Sequence, residues 1–349
     1  MSTAQPSNDP RLATHRRAVH RLATHRRVAA RLDQLSDRRL AELVGSVAGV
    51  SGVGGRTGEA EVDGTPVFVK RVPLTDLELR PGHLRSTANH FGLPLYYQYG
   101  FGSSGFGAWR ELAVHLMTTH WVLGGEHDGF PLTHHWRVLP DTPPEGFADE
   151  FGGIEGAVAH WDGSSAVRTR LEAIGRATHS VVLFLEYVPR TLGSWLHEHG
   201  AEALPWVESE LARGTAFLRS RGLVHFDAHF RNLLTDGQRV HFADYGLALS
   251  PSFELDASER EFLTLHRDYD RHYTVSHLLR DNLLAGTDAD AFLRDWTAGH
   301  RPEGLAPETA SVNDRHAETA LLLGGFHRRL LRESKSTPYP ASDLELILR

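Results

Sequence analysis

The sequence predicts an α+β fold with two lobes, the first small and rich in strands, the second larger and mostly helical. Three observations lead to this prediction. Apolar runs broken by glycines and an Asp-Gly turn occupy residues 45–72 and are typical of strands. A continuous apolar run at residues 181–189 is typical of a buried strand. After residue 190, apolar residues recur mainly at helical spacing.

Composition sets the class of protein and its compartment. The chain has 349 residues, of which 40% are hydrophobic and 23% charged, as in an ordinary globular protein. It has no cysteine, which excludes disulfides, thiolate catalysis and cysteine-based zinc sites. The formal net charge of -7 argues against a nucleic-acid partner. With no apolar run of membrane-spanning length and no visible signal peptide, we expect a cytoplasmic protein that does not contact a membrane.

The sequence divides into an extension and the two lobes. We expect residues 1–40 to be an N-terminal extension, partly disordered or helical, residues 41–189 the first lobe with long insertions, and residues 190–349 the helical second lobe. The extension carries a duplication, because the segment Arg11–Arg17 recurs as Arg21–Arg27. That period does not return to the same helix face and so does not indicate a helical repeat. Its Arg and His residues leave an RNA-binding arm as an alternative.

Three polar residues surround a predicted hairpin in the second lobe. Asp227 precedes it, Asn232 begins its first strand, Asp236-Gly237 forms its turn, and Asp244 follows it. Two carboxylates and an amide at one end of a hairpin suit phosphoryl transfer, which needs metal binding and positioning of the attacking hydroxyl. In this reading Asp244 and Asn232 hold magnesium and Asp227 accepts or orients the hydroxyl proton. The alternative is an ordinary hairpin with Asp at its ends, since Asp favours turns.

The same residues resemble the catalytic apparatus of the protein-kinase-like superfamily. The run His-Phe-Asp ending at Asp227, with Asn232, is similar to its catalytic loop, and the triplet Asp-Tyr-Gly beginning at Asp244 is similar to its Asp-Phe-Gly. His229 stands where aminoglycoside phosphotransferases and related small-molecule kinases often carry His, and it could donate to the transferred phosphate. The resemblance implies a bilobal protein-kinase-like fold, ATP and Mg²⁺ as cofactors, catalysis by Asp227, His229 and Asn232, and metal binding by Asn232 and Asp244.

The first lobe contains a glycine-rich stretch and a lysine in the order that the resemblance requires. Gly52, Gly54 and Gly55 are expected to cover the nucleotide phosphates, although Thr57 stands where a third glycine of the kinase loop is expected. Lys70, at the end of Val-Phe-Val-Lys, is expected to reach the phosphates from the third strand. A glycine-rich hairpin without a ligand is the alternative interpretation.

A helical glutamate should pair with that lysine. Glu111, in a predicted amphipathic helix, is the preferred partner of Lys70, and Glu78 is the competitor. The glycine- and aromatic-rich insert at residues 80–108 could be a lid over substrate or could pack on the lobe. The backbone near Glu186 and Val188 is expected to bind the adenine edge of the nucleotide.

The choice of acceptor follows from what comes after the Asp-Tyr-Gly triplet. No Ala-Pro-Glu pattern closes an activation segment there, so we expect a small-molecule hydroxyl acceptor, such as an antibiotic or metabolite. The nearby acidic residues could attract a cationic substrate or simply favour a helix N-terminus; they are Glu254, Asp256, Glu259 and Glu261. The alternatives are a Ser/Thr protein kinase with a protein substrate, a non-catalytic nucleotide-binding pseudokinase scaffold, and transfer of the AMP part of ATP.

Overall fold

The computed structural model describes residues 10–47, 49–52 and 55–347 of the chain. It is 51% helix and 13% strand with a small antiparallel sheet, so the fold is α+β, as the sequence predicts. The strands are β1 (Gly49–Gly52), β2 (Gly55–Val62), β3 (Thr65–Leu74), β4 (Thr133–Pro140), β5 (His179–Glu186), β6 (Arg190–Thr191), β7 (Leu233–Thr235) and β8 (Val240–Phe242).

Most of the remaining secondary structure is helical. The α-helices are α1 (Pro10–Asp33), α2 (Asp37–Gly45), α3 (Ala108–Leu123), α4 (Ile154–His160), α5 (Ser165–Ile174), α6 (Leu192–His199), α7 (Leu204–Ser220), α8 (Ala257–Leu265), α9 (Tyr269–His277), α10 (Ala289–Thr297), α11 (Pro307–Arg332) and α12 (Ala341–Ile347). Single helical turns of other types lie at Pro81–His83, Leu95–Tyr99, Asp149–Phe151, Ala201–Ala203 and Leu278–Leu283. Within the described residues, none of these helices is long and apolar enough to cross a membrane.

Strands β1 to β5 form one antiparallel sheet in the order β1-β2-β3-β5-β4. Its β2–β3 turn is made by Asp63 and Gly64, which both have positive φ, as a tight two-residue hairpin turn requires. In the register of β3 against β5, Lys70 lies opposite Leu183 and Val67 opposite Glu186. The central strand β3 therefore carries Lys70 in the middle of the sheet.

The N-terminal helix α1 packs on one face of this sheet together with α2. Val28 and Leu32 of α1 are fully buried and belong to the same core cluster as Val67 and Val69 of β3. The described part of the extension is therefore a well-packed helix rather than a loose one. The apolar spacing that begins at Val28 and Leu32, just beyond the second copy of the duplication, predicts a helix packing on the first lobe, and these two residues bury the end of α1.

Two long insertions pack against each other beside the sheet. The segment before α3 contributes Tyr97 and Phe106, and the segment carrying α4 and α5 contributes Trp161 and Leu171, to one buried apolar cluster. Tyr97 and Trp161 meet edge to face, with ring centroids 4.7 Å apart. The insert at residues 80–108 is thus packed on the rest of the protein, and its residues 102–105 also line a cavity.

The larger core lies in the helical region after β6. Leu218 of α7, Tyr269 of α9 and Phe326 of α11 pack together with Phe226, which precedes the β7–β8 hairpin. Strands β6, β7 and β8 form a second, three-stranded antiparallel sheet at the edge of this core. The hairpin is therefore fixed to the helices, which holds the residues at its two ends in place.

Candidate active site

The chain around Asp227 is held in a strained conformation by a buried carboxylate. Phe226 has φ of 64°, a left-handed value that a phenylalanine adopts only under restraint. Asp270 of α9 supplies the restraint, since its Oδ2 accepts from His225 N at 2.7 Å and its Oδ1 from Phe226 N at 3.0 Å. Burial raises the pKa of Asp270 to about 7, although both backbone N–H groups favour the charged form.

Asp227 and Asn232 are joined by two hydrogen bonds. Asn232 Nδ2 donates to Asp227 Oδ2 at 2.9 Å and to the Asp227 carbonyl oxygen at 3.0 Å. The imidazole of His229 lies 3.8 Å from Asp227 Oδ1, and roughly a quarter of each of these two side chains is exposed. Burial raises the pKa of Asp227, and the Asp244 carboxylate adds to the rise. A partly exposed carboxylate with a raised pKa is suited to accept a proton.

Asp244 begins the Asp-Tyr-Gly triplet, also in a left-handed conformation, with φ of 63°. Its side chain is 42% exposed, which leaves carboxylate oxygen open to the cleft. Burial alone would raise the pKa of Asp244, but the Lys70 ammonium outweighs it and holds the pKa at about 2. Tyr245, in place of the Phe of the kinase triplet, is fully buried, and its hydroxyl donates to the Phe242 carbonyl oxygen at 2.5 Å.

Lys70 links the sheet to the hairpin through two carboxylates. Its Nζ lies 2.7 Å from Glu111 Oε1 and 2.8 Å from Asp244 Oδ1. Burial alone would lower the pKa of Lys70, but the two carboxylates raise it above its ordinary value, so the ammonium stays charged. The structure pairs Lys70 with Glu111 of α3 and not with Glu78, the competing candidate.

Glu78 has a different partner and a different task. Its Oε1 accepts from the backbone N–H of Ala108 at 2.9 Å, at the start of α3, and its Oε2 accepts from Arg170 Nη1 at 2.8 Å. Burial alone would raise the pKa of Glu78, but Arg170 and two hydrogen bonds from Thr75 hold it below its ordinary value. Glu78 thereby fixes the beginning of the helix that presents Glu111.

These side chains surround one cavity of about 260 Å³. The predicted residues that line it are Lys70, Glu111, Asp227, His229, Asn232 and Asp244. The two insertions complete its wall with residues that the sequence did not single out, namely Gly102, Ser103, Ser104, Gly105, Glu150 and Arg170. Six residues from four separate stretches of sequence therefore meet in one place.

The insert before α3 reaches into this cleft. Gln98 donates from its side chain to the carbonyl oxygen of Leu247. Gly105 approaches Gly246 so closely that a Cβ on Gly105 would lie under 3.0 Å from the Gly246 carbonyl oxygen. A Cβ on Gly100 would lie 3.2 Å from Asp227 Oδ1. The insert is therefore packed on the protein and also lines the cleft, while a role as a lid over substrate stays a prediction.

Gly52 and Gly55 of the glycine-rich stretch are not among the described residues that line the cavity. Gly52 and Gly55 are cross-strand partners at the end of the β1–β2 pair. The position of a Cβ on Gly55 is 3.2 Å from Cδ of Pro73, a residue that lines the cavity. Gly54 lies outside the described residues. Contact between these glycines and phosphates stays a prediction.

Glu186 and Val188 line a separate cavity of about 830 Å³, bordered by α1. The Glu186 carboxylate faces α1, where Arg21 lies 2.7 Å away and also donates to the carbonyl oxygens of Asp128 and Phe130. The structure thus does not bring these side chains into the cavity of Asp227. Adenine binding by the backbone there stays a prediction.

Three of the four acidic residues after the triplet make structural contacts. Asp256 caps α8 by accepting from the Glu259 N–H at 2.8 Å, which agrees with the helix-terminus interpretation. Glu259 is 1% exposed and pairs with Arg110 of α3 at 2.7 Å. Glu254 accepts from the Ser86 hydroxyl at 2.6 Å. Glu259 is therefore not free to attract a cationic substrate.

The donor set of the cavity fits a magnesium ion that is held partly by substrate. Asp244 offers exposed carboxylate oxygen, and Asn232 adds an uncharged oxygen, both being the hard ligands that Mg²⁺ prefers. In the described part of the chain there is no cluster of three or more acidic or imidazole side chains that could hold a metal alone. Mg²⁺ typically binds one or two protein carboxylates together with phosphate oxygens, so two protein ligands are compatible with it.

A second cavity, of about 420 Å³, adjoins the first on the helical side. Asp227, His229, Gly102 and Ser103 line both cavities. The far wall of the second is made by polar and aromatic side chains of α9 and its neighbours, including Tyr273, His277, Arg280 and Asp281. Asp227 therefore faces the cavity of Lys70 and Asp244 on one side and a polar bowl on the other.

Asp270 and Arg170 are the main residues that sequence reasoning missed. Asp270 lies in the polar and aromatic segment Arg267–Tyr273, yet it is 5% exposed and bonds the backbone beside Asp227. In the sequence Asp270 stands among aromatic residues, and the periodicity of apolar residues does not distinguish a buried Asp there from one on the surface. Arg170 lies in an insertion that has no counterpart in the resemblance, so no sequence signal pointed to it.

No family model matches this chain, and a search of curated proteins gave no significant match. The chemistry of the site is therefore inferred from its geometry. A charged lysine, an open carboxylate with a low pKa and a second carboxylate with a raised pKa meet around one cavity. Such a set can hold a metal-bound polyphosphate and accept a proton beside it.

Proposed function

We propose that this protein is a bilobal protein-kinase-like phosphotransferase that transfers the terminal phosphate of ATP to a hydroxyl group of a small molecule. The observation that carries the proposal is the position of Lys70, bridging Glu111 and Asp244 at 2.7 and 2.8 Å in the cavity that Asp227 and Asn232 also line. Phosphoryl transfer depends on this combination of a fixed cation, metal ligands and a hydroxyl-positioning carboxylate.

Each residue has a defined task in the proposed reaction. Lys70, kept charged by its two carboxylates, binds phosphate oxygens, while Asp244 and Asn232 would hold Mg²⁺. Bound Mg²⁺ neutralises charge on the phosphates. The oxygen of the acceptor hydroxyl bonds to the terminal phosphorus of ATP while the bond from that phosphorus to the bridging oxygen breaks. Asp227 accepts the proton that this hydroxyl loses. ADP and the phosphorylated acceptor are the products, and His229 lies near enough to donate to the transferred group.

The surroundings of Asp227 favour a small acceptor. The second cavity is a bowl of about 420 Å³, within the usual size range of small-molecule sites, and Asp227 lies at its junction with the first. The segment that follows the Asp-Tyr-Gly triplet is short and tied down, since Leu249 pairs with Val224 and the Glu254 N–H donates to the Thr87 hydroxyl at 2.9 Å. A protein substrate normally requires an open platform in this segment.

The proposal is tested by transfer from ATP labelled at the terminal phosphate, with Mg²⁺, to a panel of hydroxylated small molecules and generic proteins. Wild type is compared with Asp227→Asn and with Asp295→Asn, a matched change at an exposed residue of α10. We expect a labelled small molecule and a loss of rate of about 10²–10⁴-fold in Asp227→Asn alone. Label on protein alone would favour a protein kinase, and bound ATP with no transfer would favour a non-catalytic scaffold.

A further inference from the structure

Arg170 is a buried cation for which the proposed reaction has no use so far. It lies on α5 and is 1% exposed, and its Nη1 donates to Glu78 Oε2 at 2.8 Å. Within the part of the chain that the structure describes, its Nε has no hydrogen-bond partner. A buried N–H group without an acceptor is unfavourable for the folded protein. A ligand could supply the acceptor that Nε lacks.

The same side chain lines the cavity of Lys70 and Asp227. Lys70 already pairs with Glu111 and Asp244, so its charge is largely matched before any ligand binds. A polyphosphate in this cavity therefore needs further positive groups besides Lys70 and a metal ion. Arg170 pairs with one carboxylate only, that of Glu78, and its planar guanidinium adds N–H donors that suit phosphate oxygens.

We propose that Arg170 binds a phosphate group of the nucleotide, a role that rests on the proposed phosphotransferase function. The ligand class is a nucleoside polyphosphate, and the contact is made from an insertion rather than from the sheet. The planar guanidinium can bind two phosphate oxygens at once, and its pairing with Glu78 leaves other N–H groups for that purpose.

The guanidinium is fixed before a ligand arrives. Leu171 and Ile174, on the same helix, are buried in the apolar cluster formed by the two insertions. The Arg170 guanidinium also lies over the Phe91 ring, 5.0 Å from its centroid. Because the side chain is already held, little conformational entropy is lost when it binds phosphate, and this favours affinity.

Glu78 connects Arg170 to the other cation of the cavity. It caps the start of α3 through the Ala108 N–H, and α3 presents Glu111 to Lys70. The carboxylates that pair with the two cations are thereby linked through α3. The sequence offers both Glu78 and Glu111 as partners for Lys70. In the structure each carboxylate pairs with a different cation of the same cavity, Glu78 with Arg170 and Glu111 with Lys70.

A purely structural role for Arg170, as counter-ion of Glu78, is the alternative to be excluded. The chain offers a matched pair for this purpose, because Arg110 and Glu259 form an equally buried ion pair at 2.7 Å. Among the described residues, Nη1 of Arg110 also has no hydrogen-bond partner, but Arg110 does not line the cavity. Loss of either arginine leaves a buried carboxylate unpaired, and only loss of Arg170 removes a phosphate ligand.

The test compares binding of ATP and of adenosine, by calorimetry, in full-length wild type, Arg170→Met, Arg170→Lys and Arg110→Met. We expect Arg170→Met to weaken ATP binding about 10-fold to 100-fold while adenosine binding is unchanged. Arg170→Lys should lie between wild type and Arg170→Met, and Arg110→Met should keep the wild-type ratio of the two affinities. If Arg170→Met does not fold, the double variant Glu78→Gln/Arg170→Met removes the unpaired charge and gives the same comparison.

The outcomes separate this inference from the proposed function. If wild type transfers phosphate and the ratio of ATP to adenosine affinity is unchanged in Arg170→Met or in the double variant, the role of Arg170 is wrong and the proposed function stands. Equal weakening of ATP and adenosine would show a structural role and would also overturn the inference. If wild type does not bind ATP at all, the proposed function fails and the inference fails with it.

Discussion

The contact between Gly105 and Gly246 predicts a large effect from one methyl group. Gly105 has φ of 72°, and a Cβ there would lie under 3.0 Å from the Gly246 carbonyl oxygen and 3.3 Å from its carbon. To restore an ordinary separation of about 3.5 Å or more, the two backbones must move apart by roughly 1 Å. Gly246 belongs to the same triplet as Asp244, so the shift displaces a proposed metal ligand.

The chain contains a matched control for the strain of Gly105→Ala. Gly125 also has φ of 72°, but a Cβ there meets nothing within 4 Å. Both substitutions force an alanine into the left-handed region, at a cost of about 1–2 kcal/mol of unfolding free energy. Only Gly105→Ala also displaces the triplet, and a misplacement of about 1 Å in an active site can lower the rate on the order of 10²-fold.

The assay measures urea unfolding and the rate of phosphate transfer for both variants. We expect similar losses of unfolding free energy for Gly105→Ala and Gly125→Ala, or a larger loss for the former. The transfer rate should fall on the order of 10²-fold in Gly105→Ala and stay near wild type in Gly125→Ala. Equal transfer rates in the two folded variants would refute the argument that the insert positions the triplet.

Three further predictions concern the buried charges. Lys70→Met leaves Glu111 unpaired in the interior, so the unfolding free energy measured in urea should fall by about 3–5 kcal/mol, and an unchanged value would contradict the ion-pair geometry. Arg21→Ala should lower it by about 1–3 kcal/mol, whereas exposed Arg16→Ala should change it by less than about 0.5 kcal/mol. Asp270 has a pKa raised to about 7 in the folded state, so the folded state binds the proton of this carboxyl more tightly than the unfolded state does. The stability that the protonated Asp270 contributes is therefore lost as pH rises from about 4 to about 7. Wild type should therefore lose more stability than Asp270→Asn between about pH 5 and about pH 8, and parallel losses would show that Asp270 is not the group responsible.

Much of the site was predictable because its central residues are close in sequence. Asp227, Asn232 and Asp244 lie on either side of one hairpin whose turn residues identify it, so local rules suffice to bring them together. Lys70 was predictable from its strand. Glu111 was also the preferred partner of Lys70, and the structure pairs the two, while Glu78 pairs with Arg170.

The parts that escaped prediction all depend on contacts distant in sequence. Arg21 of α1 bonds Glu186 at the end of β5, and Arg170 of α5 bonds Glu78, which precedes α3. Both pairs join residues that are far apart in the sequence. Asp270 bonds a backbone in another element. Hydrophobic periodicity reports which face of an element is buried but not which element covers it, so such pairs carry no local signal. The need for glycine at position 105 was also unpredictable, since it arises from the approach to Gly246 together with the left-handed φ of 72°.

The most direct measurement uses two preparations of ATP in parallel, one labelled at the terminal phosphate and one at the phosphate next to ribose. Each is incubated with Mg²⁺, the acceptor panel, and either wild type or Asp227→Asn. Phosphotransfer predicts that only the terminal label reaches a small molecule and that Asp227→Asn loses about 10²–10⁴-fold of the rate. Label from the phosphate next to ribose on the acceptor would show transfer of AMP instead. Transfer that is unchanged in Asp227→Asn would contradict the role of the catalytic loop.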